Sequence, residues 1–195
     1  MIAIVDYGAG NISSVKKAFE HLGAAAQVTS DPQVIASAAK VVVPGVGHFN
    51  RCKTLNEALR EPIMNAIRSG IPFLGICVGM QWLFEGSTES PETAGAGLFQ
   101  GQCSRFPASV KSPHVGWNQI ELNPGSRLLR NLASEPFVYF THSYRAPVVT
   151  ETVARTEYGG SFSAAVERDN IFGVQFHPEK SSAAGLTVLE NFCAL

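Results

Sequence analysis

The run Phe73-Leu74-Gly75-Ile76-Cys77-Val78-Gly79-Met80-Gln81 sets a cysteine between two glycines, in a G-x-C-x-G frame. An apolar, strand-like stretch meets a helix-like one at that cysteine. A nucleophile elbow requires this frame, because the strand-to-helix turn leaves no room for side chains two residues to either side of the nucleophile. The N-terminus of the following helix favours a thiolate, and the amide of Val78 can point at a developing oxyanion. The competing reading is an inert core cysteine, the usual fate of a free thiol.

Outward from the elbow, the first half of the chain alternates apolar strands with helices. Ile2–Val5 is a short apolar run, followed by Gly8-Ala9-Gly10-Asn11 and a segment with Ile12, Val15, Phe19 and Leu22 at helical spacing, stopped by Gly23. Ala26–Thr29 reads as a weaker strand. Asp31-Pro32 opens a short helix, with Asp as N-cap and Pro at the first helical position. Val41–Val43 is a buried strand ended by Pro44-Gly45. A helical region covers about Leu55–Arg68, restarted by Pro62, and Ile71–Ile76 is the next strand, with helix over Gly79–Phe84. Strands this apolar, separated by helices, predict an α/β fold with a mainly parallel central sheet covered on both faces.

The second half reads as strands joined by turns: Leu98–Phe106, Val115–Leu122, Phe137–Tyr144, Thr152–Thr156, Phe162–Glu167 and Ile171–Phe176. A closing helix starts near Ser182 with Leu186, Leu189 and Cys193 on one face. There is no internal repeat or linker, so a single domain over residues 1–195, with an antiparallel extension of the sheet, is the economical expectation.

Composition narrows the function. The 195 residues are 45% hydrophobic and 16% charged, below the roughly 25% charged residues of ordinary soluble domains, which excludes a disordered chain. Fifteen basic against sixteen acidic residues give a net charge of −1 and no electrostatic case for nucleic acid or an anionic membrane. The longest uncharged stretch around the apolar maximum, Ser69–Phe84, is 16 residues, short of the roughly 20 a membrane span needs. Met1–Asp6 enters a strand at once, without a basic n-region or cleavage site, so no secretory signal is expected and the location is read as cytoplasmic. Cys52, Cys77, Cys103 and Cys193 form no CxxC pair and read as free thiols, with no metal framework.

A cysteine nucleophile needs a base. His21 sits on a helix end, His48 follows a glycine loop, and His114 and His142 flank strands as core or interface residues. His177 leaves an apolar strand in Phe176-His177-Pro178-Glu179-Lys180, and Pro178 biases it to extended backbone. Residues two apart on an extended segment face the same way. Glu179 can therefore lie beside the imidazole and fix its tautomer, completing a Cys-His-Glu triad. The alternative is a surface histidine with an incidental acid neighbour. Strand ends are where sites of parallel sheets collect, and Val43-Pro44-Gly45-Val46-Gly47-His48-Phe49 lies at another one. Its glycines could bring backbone amides to an oxyanion, or simply end the strand.

Gly75–Gly79 with Gln81, and Phe176-His177-Pro178-Glu179, resemble the class I (triad) glutamine amidotransferases. Asp6-Tyr7-Gly8-Ala9-Gly10-Asn11, Pro44-Gly45-Val46-Gly47, Gly116-Trp117-Asn118 and His177-Pro178-Glu179-Lys180-Ser181-Ser182 extend the resemblance over the whole chain. Within the family they point to members that act as the glutaminase subunit beside a cyclase. Most relatives carry a second glycine directly after the Pro-Gly; this chain has Val46 there, as those subunits do. The resemblance implies a flavodoxin-like core and hydrolysis of L-glutamine to glutamate and ammonia by Cys77, His177 and Glu179, with no metal or organic cofactor.

It further implies that Gly45, Val46, Gly47 and Val78 form the oxyanion site. Gln81, Glu89, His142, Ser143 and Tyr144 would hold glutamine. The partner would be a (β/α)8-barrel cyclase, forming a heterodimer in which ammonia closes an imidazole ring during histidine biosynthesis. Asn11, Trp117, Tyr139 and Lys180 would face that partner; otherwise Asn11 is an N-cap, Trp117 and Tyr139 are strand packing, and Lys180 is solvated. Two other readings stay open. One is the glutaminase of a different amidotransferase. The other is a dinucleotide-binding module, from Gly8-Ala9-Gly10 with Asp31 about 20 residues on, although Ser13 stands where the third glycine belongs.

Overall fold

The computed structural model describes residues 1–195. Its centre is an eight-stranded sheet, built in the order β2-β1-β3-β4-β13-β12-β11-β8. Five strands run parallel: β1 (Ile2–Val5), β2 (Ala26–Thr29), β3 (Lys40–Gly45), β4 (Phe73–Cys77) and β13 (Ile171–Val174). Three antiparallel strands extend it: β12 (Ser161–Arg168), β11 (Thr152–Glu157) and β8 (Glu121–Leu122). The β2-β1-β3-β4 order is that of flavodoxin-like sheets, whose crevice opens at the strands' C-terminal ends. The mainly parallel α/β architecture with an antiparallel extension is as the sequence predicts.

Helices pack on this sheet where periodicity places apolar faces. In α1 (Ile12–His21), Val15 and Phe19 are buried, and Gly23 ends the segment at φ 73°. In α2 (Pro32–Ala36) the Asp31 carboxylate accepts from Gln33 N at 2.8 Å, with Pro32 at the first position. The region expected as one helix over Leu55–Arg68 starts earlier and is not uniform. A short α3 (Cys52–Thr54) leads into a π-helical stretch, Leu55–Leu59, before α4 (Arg60–Arg68). Pro62 has no N–H to donate and its ring crowds the carbonyl one turn back, so the regular ladder cannot pass through it. On α6 (Ser182–Cys193) the buried face is Gly185, Val188, Leu189 and Phe192, whereas Leu186 and Cys193 are only half-buried.

The expected strand Leu98–Phe106 is mostly something else. Only β6 (Gln102–Arg105) is extended. Leu98 and Phe99 both donate to the Leu83 carbonyl, and Gly97 and Gly101 adopt φ of 70° and 88°. The segment therefore wraps around α5 (Val78–Trp82), the helix that follows the elbow, and cannot run straight through Gly101. Two further expected strands split between sheets. Val115–Leu122 becomes β7 (His114–Gln119), paired with β9 (Phe137–His142) in a separate ribbon, while β8 joins the main sheet after Ile120. Phe137–Tyr144 breaks at Ser143, and β10 (Tyr144–Arg145) pairs with β6, which also carries the two-residue β5 (Gly86–Ser87). The breaks matter because Ser143 lies at the site.

Candidate active site

Cys77 occupies the corner between β4 and α5, at φ 55° and ψ −106°. Few non-glycine residues adopt positive φ, and the cost of holding one there is about 1–3 kcal/mol. The flanking glycines are required by contact. A Cβ on Gly75 would lie 2.5 Å from the Gly79 carbonyl oxygen, and one on Gly79 would overlap the Val43 carbonyl of β3. The start of α5 is thus packed directly on both β4 and the neighbouring β3. Val78 opens α5, so its N–H has no partner within the helix. That helix has five residues and ends at Trp82, shorter than the stretch expected to Phe84.

His177 and Glu179 meet from the neighbouring strand's end. His177 N–H donates to the Tyr139 carbonyl at 2.9 Å, which fixes the backbone as it leaves β13. The imidazole Nδ1 lies 2.8 Å from Glu179 Oε1, with both side chains buried. The acid does not reach it along an extended segment, as the alternation argument supposes. Pro178–Lys180 forms a 3-10 turn that curls the carboxylate back beneath the ring. A carboxylate can only accept, so Nδ1 carries a proton, and in the neutral ring Nε2 is the nitrogen left with the lone pair. Nε2 has no aligned hydrogen-bond partner, although it lies close enough to Cys77 for the sulfur to influence it. Burial works against charge on this ring, but the adjacent Cys77 and Glu179 outweigh it and raise its pKa to about 10.

The same carboxylate oxygen, Glu179 Oε1, also accepts from Asn11 Nδ2. Asn11 is the N-cap residue of α1 at φ 72°, and its side chain makes no capping bond because it is turned to the triad. Gly45 sits under the Tyr7 ring: a Cβ there would collide with the Tyr7 hydroxyl and come 3.1 Å from Val78 Cβ. That hydroxyl is buried without a partner, and burial pushes its pKa well up. Gly47, at φ 110°, has open space around it.

A cavity of about 250 Å³ opens on Cys77 and is lined by Gly47, Val78, Gln81, Glu89, His142, Ser143 and Tyr144, with Pro113 and Thr141. Drug-sized ligands occupy roughly 300–1,000 Å³, so this one suits something smaller, such as an amino acid. Gly45 and Val46 stand behind the cavity and do not line it. Glu89 Oε2 accepts from Phe49 N at 2.8 Å, which ties its loop to the residues just past the glycine loop. Four larger grooves, of about 450, 770, 630 and 620 Å³, contain none of Cys77, His177 and Glu179.

His142 and His114 face each other across the β7–β9 ribbon within a nest of aromatic rings. His142 donates from Nδ1 to the Tyr144 carbonyl at 2.8 Å, which shapes the cavity wall. Burial lowers the pKa of His142 to about 3 and that of His114 to about 4. A base depressed in the folded state is protonated first in the unfolded chain, so stability is full above pH 6.5 and drains as pH falls towards 3. For His142 alone the loss is about 2 kcal/mol at pH 5. Urea unfolding at pH 7.5 and 5.0 is expected to show that drop, and His142→Gln to reduce it.

Of the residues expected at the partner face, Trp117 is half exposed and meets Tyr139 edge-on at 6.1 Å. Lys180 Nζ lies 5.9 Å from the centre of the Tyr139 ring. Val115 and Phe137 extend this face, each more than half exposed. Asn11 differs, its amide being committed to Glu179. The other cysteines behave as packing: Cys52 and Cys103 are buried, which pushes both thiols well up, and Cys193 is half-buried. Asp31, the acid of the dinucleotide reading, is spent on capping α2, and that reading is not favoured. Sequence reasoning missed Gln175, which is fully buried with its amide 3.6 Å from Cys77 Sγ. The signal was its position two residues before His177 in an otherwise apolar run.

The family model described as glutamine amidotransferase class-I matches residues 3–194. The chain is 50% identical over 193 residues to the imidazole glycerol phosphate synthase subunit HisH of Methanothermobacter thermautotrophicus, covering 98% of this chain and 97% of that one. It is 47% identical over 206 residues to the HisH subunit of Salinibacter ruber, covering 100% and 94%. Among solved structures, a glutamine amidotransferase superposes with TM-score 0.77 at 18% identity, covering 99% of this chain and 100% of that one. The PurLQS structure from Thermotoga maritima gives 0.75 at 18%, covering 99% and 97%; at that identity the likeness concerns the fold. With half its residues shared end to end with such subunits, the chain belongs to the class I glutamine amidotransferases and, within them, to the HisH family.

Proposed function

We propose that the chain hydrolyses L-glutamine to L-glutamate and ammonia through a thioester on Cys77, as the ammonia-supplying subunit of imidazole glycerol phosphate synthase. The observation that carries this reading is the buried His177–Glu179 pair, with Nε2 free beside a cysteine held at positive φ. His177 Nε2 takes the Cys77 proton first, as its raised pKa favours, and the resulting thiolate attacks the side-chain amide carbon. Glu179 keeps Nδ1 protonated and stabilises the imidazolium. That imidazolium protonates the departing ammonia, and the neutral ring then draws a proton from the water that cleaves the thioester. Acyl transfer of this kind needs neither metal nor organic cofactor.

The tetrahedral oxygen is held by the amide of Val78 with the Gly45–Gly47 loop. Tyr7 and Val78 clamp Gly45 while Gly47 is unencumbered, which suits a loop that pivots at Val46–Gly47 when the partner signals. Gln81, Glu89, His142, Ser143 and Tyr144 surround the substrate. The partner is a (β/α)8-barrel cyclase in a cytoplasmic heterodimer, and it uses the ammonia to make imidazole glycerol phosphate and an aminoimidazole carboxamide ribonucleotide in histidine biosynthesis. The apolar ribbon face of Val115, Trp117, Phe137 and Tyr139, with Lys180, supports docking here, since patches of this kind mark interaction sites. Residues 1–195 act as one domain, and no helix is long and apolar enough to cross a membrane. Glutamate release is expected to be slow for the chain alone and to rise when the cyclase and its nucleotide are added. A rate indifferent to the cyclase would instead favour a glutaminase serving another synthase.

A further inference from the structure

Gln175 follows β13, whose register with β4 pairs Val174 with Ile76 and so brings residue 175 level with Cys77. Its N–H donates to the Ala164 carbonyl at 2.9 Å, which holds the backbone to β12. The side chain is fully buried and spans two partners. Oε1 accepts from Gln81 Nε2 at 3.1 Å, and Nε2 donates to Cys77 Sγ at 3.6 Å. Gln81 fixes that orientation. Its amide group also donates to the Tyr144 carbonyl at 2.8 Å, so its nitrogen is the end turned towards Gln175. A flipped Gln175 would set two donors face to face and leave the sulfur opposite an acceptor.

We propose that Gln175 is a further catalytic residue, whose amide donates to the Cys77 sulfur and stabilises it as a thiolate. A hydrogen bond to a charged acceptor is stronger than one to its neutral form. The bond therefore favours the charged sulfur twice, before it attacks and again when it is expelled as the thioester is cleaved. The proton still travels through His177; Gln175 moves none. The role rests on Cys77 being the nucleophile proposed above, and it assigns an electrostatic task to a side chain that would otherwise only fill space.

Alkylation of Cys77 by iodoacetamide across pH, followed by mass spectrometry of its peptide in the folded chain without glutamine, tests the bond directly. Gln175→Leu removes the donor, and Gln175→Glu keeps the shape and the acceptor for Gln81. Both variants are expected to alkylate more slowly near neutral pH and to shift the profile alkaline. The loss near neutrality is about tenfold, as for a hydrogen bond to a charged group. Glutamine turnover with the cyclase present is expected to lose kcat with KM little changed. Profiles superimposable on that of the unsubstituted chain in both variants would overturn the proposal, as would a rise in KM alone. Because alkylation needs no substrate, a shifted profile without any glutaminase activity would support the bond while rejecting glutamine as the substrate.

Discussion

A Cys77→Ser chain is expected to lose glutamine hydrolysis by about 10³-fold or more, while its complex with the cyclase still turns over on added ammonium salts. A serine hydroxyl holds its proton far more tightly than a thiol. The imidazole that serves a cysteine cannot lift it, even with Glu179 behind it. The corner itself is unaffected, because the close approach of Gly79 to β3 and of Gly75 to Gly79 holds the turn at residue 77, and the sulfur does not. Association with the partner is therefore expected to persist, since the proposed docking face of Trp117, Tyr139 and Lys180 lies on the ribbon and the turn after His177. Glutamate release and ammonium-dependent synthesis, assayed on one preparation, separate the two outcomes. Equal loss of both would overturn the division of labour between the subunits.

The second large effect falls on stability. Gly79→Ala places a methyl where the Val43 carbonyl oxygen stands. That carbonyl belongs to a central strand with neighbours on both sides, so it has nowhere to go. Either α5 lifts off β3 or β3 bows, and each loosens the buried layer around Val43, Met80 and Trp82. The expected cost is about 3 kcal/mol, a fall in Tm of about 6–12 °C for a chain of this length. Gly86→Ala is the control. Its added methyl would meet the Thr93 carbonyl oxygen at 3.4 Å, an ordinary contact, and its backbone is not left-handed. Thermal unfolding of the two variants side by side is expected to show the large loss only at residue 79. Similar small shifts in both would mean that the elbow has slack.

The parallel half of the fold was legible because its strands are covered on both faces and so read as unbroken apolar runs. Its helix ends also carry local chemistry at Asp31-Pro32 and Gly23. Legibility failed where apolar residues serve something other than a strand. Leu98 and Phe99 look extended, yet their amides cap the turn after Trp82. Ile120 and Ser143 look like strand interiors, yet the chain changes sheets at each, a choice made by distant partners with no local signature. At the site, the glycine frame around Cys77 was readable because the tight turn crowds Gly75 against Gly79, although the clash of Gly79 with Val43 of β3 has no local sign. His177 was marked out by its place at the end of an apolar strand, and Gln175 lies two residues before it in the same run. It was passed over because a lone amide carries no charge to draw the eye. Asn11 looked like a cap because its task depends on residue 179, across the molecule.

The position of β13 in the sheet also constrains synthesis. It is made after β1 to β12, yet it lies in the middle, between β4 and β12. Until it emerges from the ribosome, β4 has a bare edge, and the base and acid that follow it do not yet exist. The carboxylate they supply is then clasped by Asn11, made well before them. A chain made only as far as β12 thus carries Cys77 without its proposed base and acid, and the proposed triad is complete only once residues 11 and 179 have met.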